Sequence, residues 1–174
     1  MIEFPSIEAF VAHLEKTKSA VQFAAPVGVG AACDLVLDTA RGLIGHYQRE
    51  DTGPFDPWDE LAPRTKDERT YLGFTPNDPL SRTGELRDSY ERTVSGREGA
   101  VGSNLGKAVE LELGLSGGEE YLPPRSVLGI AAFRQEESVV NLMCQPIAAA
   151  LAGLKPMPGH VGGASSADLE GIPF

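Results

Sequence analysis

The chain has 174 residues and a formal charge of −10, with 20 glycines, 13 prolines and two cysteines. This length suits one domain with a real hydrophobic core, so folding needs no disulfide or metal. The acidic balance, with no basic stripe, argues against a protein that grips nucleic acid by its phosphates. Uncharged apolar runs are shorter than the roughly 18 residues that span a bilayer, and the start MIEFPSIEAF lacks a signal peptide's basic region. We therefore expect a protein made in the cytoplasm that does not enter a membrane.

The first third of the chain predicts two amphipathic helices, separated by a break or restart at Pro26. Apolar residues recur every three or four positions after Ser6, a residue type favoured at helix starts. A second and stronger stripe covers residues 29–47. Gly42 and Gly45 lie inside it, where each costs up to about 1 kcal/mol relative to alanine. We expect another backbone, such as that of a neighbouring subunit, to approach these glycines closely.

Residues 50–80 lose the helical pattern and contain five prolines and the only tryptophan. We expect an extended but ordered crossing, since a disordered linker would not carry so many large apolar side chains. A short helix is predicted from Pro63 to Gly73, because proline favours the first helical turn and glycine the end. Trp58 is interpreted as a core anchor, with contact at an interface as the alternative.

Residues 83–103 predict a short helical turn followed by a β-hairpin. Thr83 can cap the turn, while Leu86 faces inward. Alternating residues then lead into a turn-rich connection over residues 95–99 and a returning strand. Residues 105–115 fit either a strand or a helix, and the local alternation slightly favours the strand.

The C-terminal third predicts two more helices and a tail. Pro123-Pro124 forces an extended entry, after which helices are predicted over residues 126–133 and 139–151, the second containing a proline that should kink it. Residues 153–174 are rich in Gly, Pro, Ala and Ser, which is typical of a mobile tail. We expect this extended tail to become ordered by docking on another copy of the chain or on another protein.

One segment matches the pattern of a catalytic nucleophile. The G-x-S-x-G pattern needs a strand before the serine, a helix after it, and a later histidine and acid. Here two prolines follow closely, and the one later histidine, His160, lies in the tail. A plain glycine-rich turn is therefore favoured over a small hydrolase using Ser116, in the segment Gly114-Leu115-Ser116-Gly117-Gly118.

Other chemistry-bearing residue types lack the spacing that their chemistry needs. A partial G-x-G-x-x-G pattern begins at Gly28 without a preceding strand, so a dinucleotide site is not expected. Neither calcium nor zinc spacing occurs, and the two cysteines are interpreted as buried core thiols. We expect no catalysis, no cofactor and no metal from these residues: Asp51, Asp56, Asp59, Glu60, His13, His46, His160, Cys33 and Cys144.

The order of short motifs in the middle of the chain resembles that of one protein family. In order, the chain contains Pro57-Trp58, Leu61, Thr65, Pro79-Leu80, Thr83-Gly84-Glu85-Leu86-Arg87-Asp88-Ser89, Val101-Gly102-Ser103-Asn104, Pro123-Pro124-Arg125 and Leu128-Gly129. Over residues 30–152 this set resembles the tail-completion or virion morphogenesis proteins of tailed bacteriophages, a family related to the minor tail protein Z of phage lambda. The chain departs from the family pattern at Lys107-Ala108, where the family has Tyr-Ala.

Together, the pattern and the resemblance imply an α+β fold. Long N-terminal helices would pack on a small antiparallel β-sheet or hairpin, followed by C-terminal helices and the extended tail. Residues 1–25 would be an N-terminal helix added to the family domain, residues 26–152 the domain, and residues 153–174 the tail. The resemblance also favours a helix, ending at Gly114, over the strand that the local pattern favours.

The resemblance further implies a structural, non-enzymatic role in the virion. The chain would be a neck or tail-completion component that joins the head connector to the tail tube, as a hexameric ring. Its partners would be copies of itself, the connector or stopper, and the tail terminator or tail tube, with DNA only as passing cargo. Another neck protein (a stopper, head-completion protein or tail terminator) is the alternative. The candidate interface residues are Trp58, Thr83, Gly84, Leu86, Arg87, Asp88, Pro123, Pro124 and Arg125.

In such a ring, the excess of acidic residues would face the question of how DNA passes through the channel. A channel through which DNA slides must not bind phosphates, and like charges repel. We therefore hypothesise that acidic residues help DNA to pass.

Overall fold

One long helix, α1, dominates the computed structural model, which describes residues 3–117 and 120–153. The fold is α+β, as predicted, with a long N-terminal helix, small antiparallel sheets and C-terminal helices. The predicted tail lies outside the described residues, apart from Gly153. In chain order the described elements are α1 (Ile7–Leu43), α2 (Pro63–Tyr71), α3 (Glu85–Asp88), β1 (Tyr90–Ser95), β2 (Glu98–Ser103), α4 (Gly106–Leu113), β3 (Leu115–Gly117), β4 (Glu120–Leu122), α5 (Leu128–Arg134) and α6 (Glu136–Leu151).

Helix α1 is continuous through Pro26, so the predicted break into two helices is wrong. Proline removes one backbone donor and crowds the carbonyl four residues earlier, here that of Gln22. Gln22 is exposed, and water can satisfy a carbonyl on that part of the helix. The helix starts as predicted, because the Ser6 side chain accepts a hydrogen bond of 3.2 Å from the Ala9 N–H.

Helix α6 packs along α1 over a stretch of small residues. Ala24 and Ala25 are buried there, and a Cβ on Gly28 would lie 2.9 Å from the Leu142 carbonyl oxygen. The backbones of α1 and α6 therefore approach closely at Gly28. We expected such an approach at Gly42 instead, but a Cβ added to Gly42 would meet no atom within 4 Å in the described part of the chain.

Gly45, the other glycine of that expectation, follows α1 and has a φ of 99°. A positive φ is unfavourable for residues that carry a Cβ, which explains why this position is a glycine. Further along the chain, Pro146 lies inside α6 and is buried.

The main sheet is the β1–β2 hairpin, which pairs Tyr90 with Ser103 and Ser95 with Glu98. Its two-residue turn is tighter than the predicted connection over residues 95–99. The hairpin lies on α1, and Gly99 sits so close to Val29 and Cys33 that no side chain would fit there.

Helix α4 replaces the strand that local alternation favoured for residues 105–115. The helix that the family resemblance implied is confirmed, and it ends before Gly114, whose φ is 74°. A second small hairpin, β3–β4, follows.

The core lies where α1, α5, α3 and β1 meet. Trp58 is 2% exposed, which confirms that it anchors the core. Of the two cysteines, Cys33 is buried but Cys144 is exposed, so the prediction that both are core thiols is wrong for Cys144. Its place on the outer side of α6 keeps the thiol in solvent. The buried cluster comprises Leu37, Ala40, Leu43, Ile44, Trp58, Leu86, Tyr90, Ala108, Val127, Ile130 and Ala131.

By length and composition, α1 could cross a membrane. An 18-residue window has a mean hydropathy of 1.6, and 39% of that window is buried inside the protein. Core helices of soluble proteins pass the same test, and Val29 and Leu37 of α1 are packed in the interior.

Candidate functional site

A groove of about 710 Å³ lies beside α3, and we call it the α3 groove. It contains three of the predicted interface residues, Thr83, Gly84 and Leu86. Its apolar lining is provided by Leu72, Phe74, Leu80, Leu86 and Leu111, and its charged lining by Arg69, Arg82, Glu85 and Lys107. An apolar floor with charges of both signs at its edge suits contact with another protein.

The short helix α3 forms one wall of this groove. Gly84 begins it with a φ of 83°, a conformation that favours glycine. The Thr83 hydroxyl accepts a long hydrogen bond of 3.4 Å from the Glu85 N–H, but the N-cap residue of α3 is Gly84 and not the predicted Thr83. Leu86 is buried in the core, while Arg87 and Asp88 are exposed. The predicted motif therefore fixes one apolar anchor inside and presents two charges outside.

Leu80 on the groove's opposite wall has a φ of 62°, which side chains rarely adopt. Such strain costs about 1–3 kcal/mol and persists only where the surroundings impose it. Here the Pro79 carbonyl accepts a hydrogen bond of 2.8 Å from the Gly45 N–H, which ties the segment to the end of α1.

Arg69 of α2 supplies the rest of that support, and sequence reasoning missed it. Its guanidinium is buried and donates to the carbonyls of Asp78 at 2.5 Å, Ser81 at 3.0 Å and Thr75 at 3.2 Å. A buried arginine that is paired with carbonyls holds a loop rather than a ligand. No local sequence pattern indicates this role of Arg69, because the carbonyls that it binds come close to it only in the folded loop.

The charged rim is built from exposed ion pairs. Glu85 pairs with Lys107, and Glu68 with Arg82 at 3.5 Å. The Arg82 guanidinium also lies 5.4 Å from the centre of the Phe74 ring. Exposed pairs stabilise a fold by only about 0–1 kcal/mol, so these charges are available to rearrange when a partner docks.

Four further predicted interface residues lie away from the groove: Trp58, Pro123, Pro124 and Arg125. The Trp58 ring N–H donates a hydrogen bond of 3.2 Å to the Ser126 carbonyl. Arg125 donates to the Asp59 carbonyl at 3.0 Å, and burial lowers the pKa of its guanidinium. Arg125, one of the predicted interface residues, is therefore buried, and its side chain binds the crossing segment of its own chain.

Glu112 of α4 holds the same region together and was also missed. Its carboxylate accepts hydrogen bonds from the backbone N–H groups of Val127, Leu128 and Gly129, and from the Ser126 hydroxyl, at 2.5–3.2 Å. These are the free donors at the start of α5, where negative charge is favourable. In sequence Glu112 looks like an ordinary surface charge, because its partners come 14 to 17 residues later.

The two glycine motifs considered in the sequence lie in secondary structure that does not suit the chemistry of those motifs. Ser116 lies in β3, after a helix and opposite Tyr121, whereas a nucleophile elbow needs a strand before the serine and a helix after it. His160 lies outside the described residues. The glycines of the partial dinucleotide motif lie inside α1. Among residues 3–117 and 120–153, no group of three His, Cys, Asp or Glu side chains could hold a metal ion.

Residues 3–117 and 120–153 thus offer surfaces for contact: a shaped groove, two exposed charges on α3, and loops fixed by buried arginines. Comparison of the chain with protein families, curated proteins and solved structures found no match.

Proposed function

We propose that this chain is a structural virion protein of a tailed bacteriophage, a tail-completion or neck component that joins the head connector to the tail tube. The observation that carries the proposal is the conformation of the Thr83–Ser89 motif. Gly84 and Leu86 fix its backbone and line the α3 groove, and Arg87 and Asp88 are exposed on the same short helix. A rigid motif that presents opposite charges suits a specific protein contact.

The wider molecule agrees with a part in an assembly. The order of motifs resembles the family described above, and the α+β fold is the kind that the resemblance implies. Large apolar side chains are exposed on several elements, among them Phe23, Tyr71, Val109 and Leu113. Exposed apolar surface of this extent is typical of proteins that bury it against partners.

In this proposal, copies of the chain form a hexameric ring, with the connector or stopper on one side and the tail terminator or tail tube on the other. DNA passes through without being held. The chain is made in the host cytoplasm and works in the virion.

Deleting the gene from the phage or prophage that encodes the chain tests this proposal. We expect filled heads and complete tails that accumulate separately, with infectivity restored when the protein is supplied from a plasmid. Electron microscopy and plaque counts provide the two measurements. Normal numbers of joined, infectious particles without the protein would refute a role in joining.

The plasmid can also carry variants of the α3 surface. Arg87→Glu should abolish complementation while leaving the melting temperature unchanged, because Arg87 is exposed. Arg64→Glu, an equal charge reversal at an exposed position of α2, is the matched control and should complement. If both variants complement like the wild type, the α3 surface is not the contact.

The position within the neck is tested by the order of attachment. Purified protein should bind heads or tails isolated from the deletion strain and allow them to join. If it instead binds only tails and caps them before they meet heads, it is a tail terminator, the alternative within the same structural class.

A further inference from the structure

The first half of α1 carries an apolar stripe that is largely exposed in the described part of the molecule. We call residues 7–23 the arm; none of them is buried in the described part of the molecule. Ile7, Phe10, Val11 and Leu14, which we call the arm stripe, are 44–78% exposed. Their spacing of three and four residues places them on one face of the helix. Four large apolar side chains on one face of a projecting helix indicate a surface that packs against another molecule.

A second apolar surface lies further along the molecule, between the tip of the β1–β2 hairpin and α6. This hairpin groove has a volume of about 500 Å³. Its floor is α1 itself, and Arg97 and Glu98 of the hairpin stand at one edge. The apolar lining consists of Val29, Ala32, Cys33, Val36, Val101, Val139 and Met143.

These two surfaces cannot meet within one chain. Leu14 and Val29 belong to the same continuous helix, and the rise over the steps from one to the other holds the surfaces roughly 22 Å apart at about 1.5 Å per residue. The arm stripe can therefore reach a hairpin groove only in another copy.

Both surfaces carry exposed charged side chains beside their apolar residues. Glu8 and Glu15 lie on the arm next to the stripe, and both are exposed. Arg97 stands at the edge of the groove and is also exposed. Glu98 stands beside Arg97 at this edge, and the exposed Lys18 follows the arm stripe by four residues, so each surface carries charges of both signs. A docking orientation that pairs opposite charges is favoured over one that brings like charges together.

We propose that the arm of one copy docks in the hairpin groove of a second copy. The contact is head to tail, because the two copies use different surfaces, and such contacts close into a ring when their rotation allows it. The inference rests on the proposed function in one respect: it names the contact between neighbouring copies of the proposed ring.

Two variants that each disable one surface test this contact. The arm variant carries Phe10→Asp and Leu14→Asp, and the groove variant carries Met143→Asp. All three side chains are at least 38% exposed, so the fold should survive, which circular dichroism can check. Matched controls are Ala12→Asp, an exposed residue off the stripe, and Val140→Asp, an exposed α6 residue that lines a different cavity.

Mass in solution, measured by light scattering or analytical ultracentrifugation, is the readout. We expect the wild type and both controls to form the larger species, and each disabled variant alone to remain a single copy. In an equal mixture, the arm variant still has a groove and the groove variant still has an arm. The mixture should therefore form dimers of one copy of each and nothing larger, with association restored by at least about tenfold over either variant alone.

The other outcomes overturn the contact in distinguishable ways. If the groove variant assembles like the wild type while the arm variant does not, the arms pack on each other or elsewhere. If both variants assemble normally, this contact is wrong but a ring through another surface, and so the proposed function, still stands. If the wild type stays a single copy at all concentrations, both the contact and self-assembly into a ring fail.

Discussion

At the scale of single residues, the Glu112 carboxylate satisfies three backbone donors at the start of α5. Glu112→Gln keeps the size but replaces one acceptor oxygen with a donor group and removes the charge. We expect a loss of about 1–3 kcal/mol in the free energy of unfolding. Urea denaturation measures the change. Glu110→Gln, at an exposed position of the same helix, is the control and should change stability by less than about 0.5 kcal/mol. Equal losses in the two variants would contradict the assigned role.

Tyr90 gives a pH dependence whose sign follows from its burial. Burial, together with the charge of Glu112, raises the pKa of the Tyr90 phenol from 10.0 to about 12. Between these values the unfolded chain has lost this proton and the folded chain has kept it, so stability falls as pH rises. We expect the wild type to lose about 1.4 kcal/mol per pH unit above pH 10 relative to Tyr90→Phe. Urea titrations of both proteins from pH 9 to 11 measure it, and parallel profiles would exclude the effect.

Individual residues also show where sequence reasoning ends. Leu86 and Trp58 could be predicted as anchors, since a large apolar side chain between polar neighbours has one favourable place to go. Arg69 and Glu112 could not, because their partners are backbone groups brought near only by the finished fold. The strain at Leu80 escaped prediction for the same reason, since the surroundings impose it.

At the scale of elements, the packing of α6 on α1 depends on the absence of a side chain at Gly28. Gly28→Ala places a Cβ 2.9 Å from backbone atoms of α6, which must then move. We expect a loss of about 1–3 kcal/mol from this overpacking. The control is Gly42→Ala in the same helix, where a Cβ meets nothing within 4 Å and alanine should stabilise by up to about 1 kcal/mol. Thermal unfolding of both variants measures the difference, and equal shifts would contradict the packing argument.

Elements were predictable where local periodicity and tertiary packing agree. The stripe of α1 and the hairpin at residues 90–103 fall in this class. Prediction went wrong at Pro26, since packing of the following turns on α6 outweighs one lost hydrogen bond. For residues 105–115 the local pattern alone slightly favoured a strand, because alternation over so few residues satisfies a helix as well as a strand, and only the family resemblance indicated the helix that is found.

At the scale of the whole molecule, the charge of −10 makes a prediction about DNA. We expect the purified protein not to retard duplex DNA in a gel at low salt, since a binding surface would need clustered basic residues. Retardation that weakens steeply with added salt would show such a surface and would overturn the idea of a channel that lets DNA slide.

At the scale of the whole molecule, the α+β class could be predicted from the order of elements. The α3 groove could be predicted only in part, because its walls come from three separate segments of the chain.

The buried arginines that hold the crossing segment in place, Arg69 within it and Arg125 outside it, have a consequence for proteolysis. Trypsin must pull several residues into its cleft to cut after an arginine, and Arg69 and Arg125 are each tied to carbonyls of the interior. The arm, by contrast, has exposed lysines at positions 16 and 18 and opens locally at little cost. Among the sites in the described residues, brief digestion of the unassembled chain should therefore cut the arm first, leaving a domain that begins near Ser19 with its hairpin groove intact, whereas docking of the arm on another copy should slow this cut.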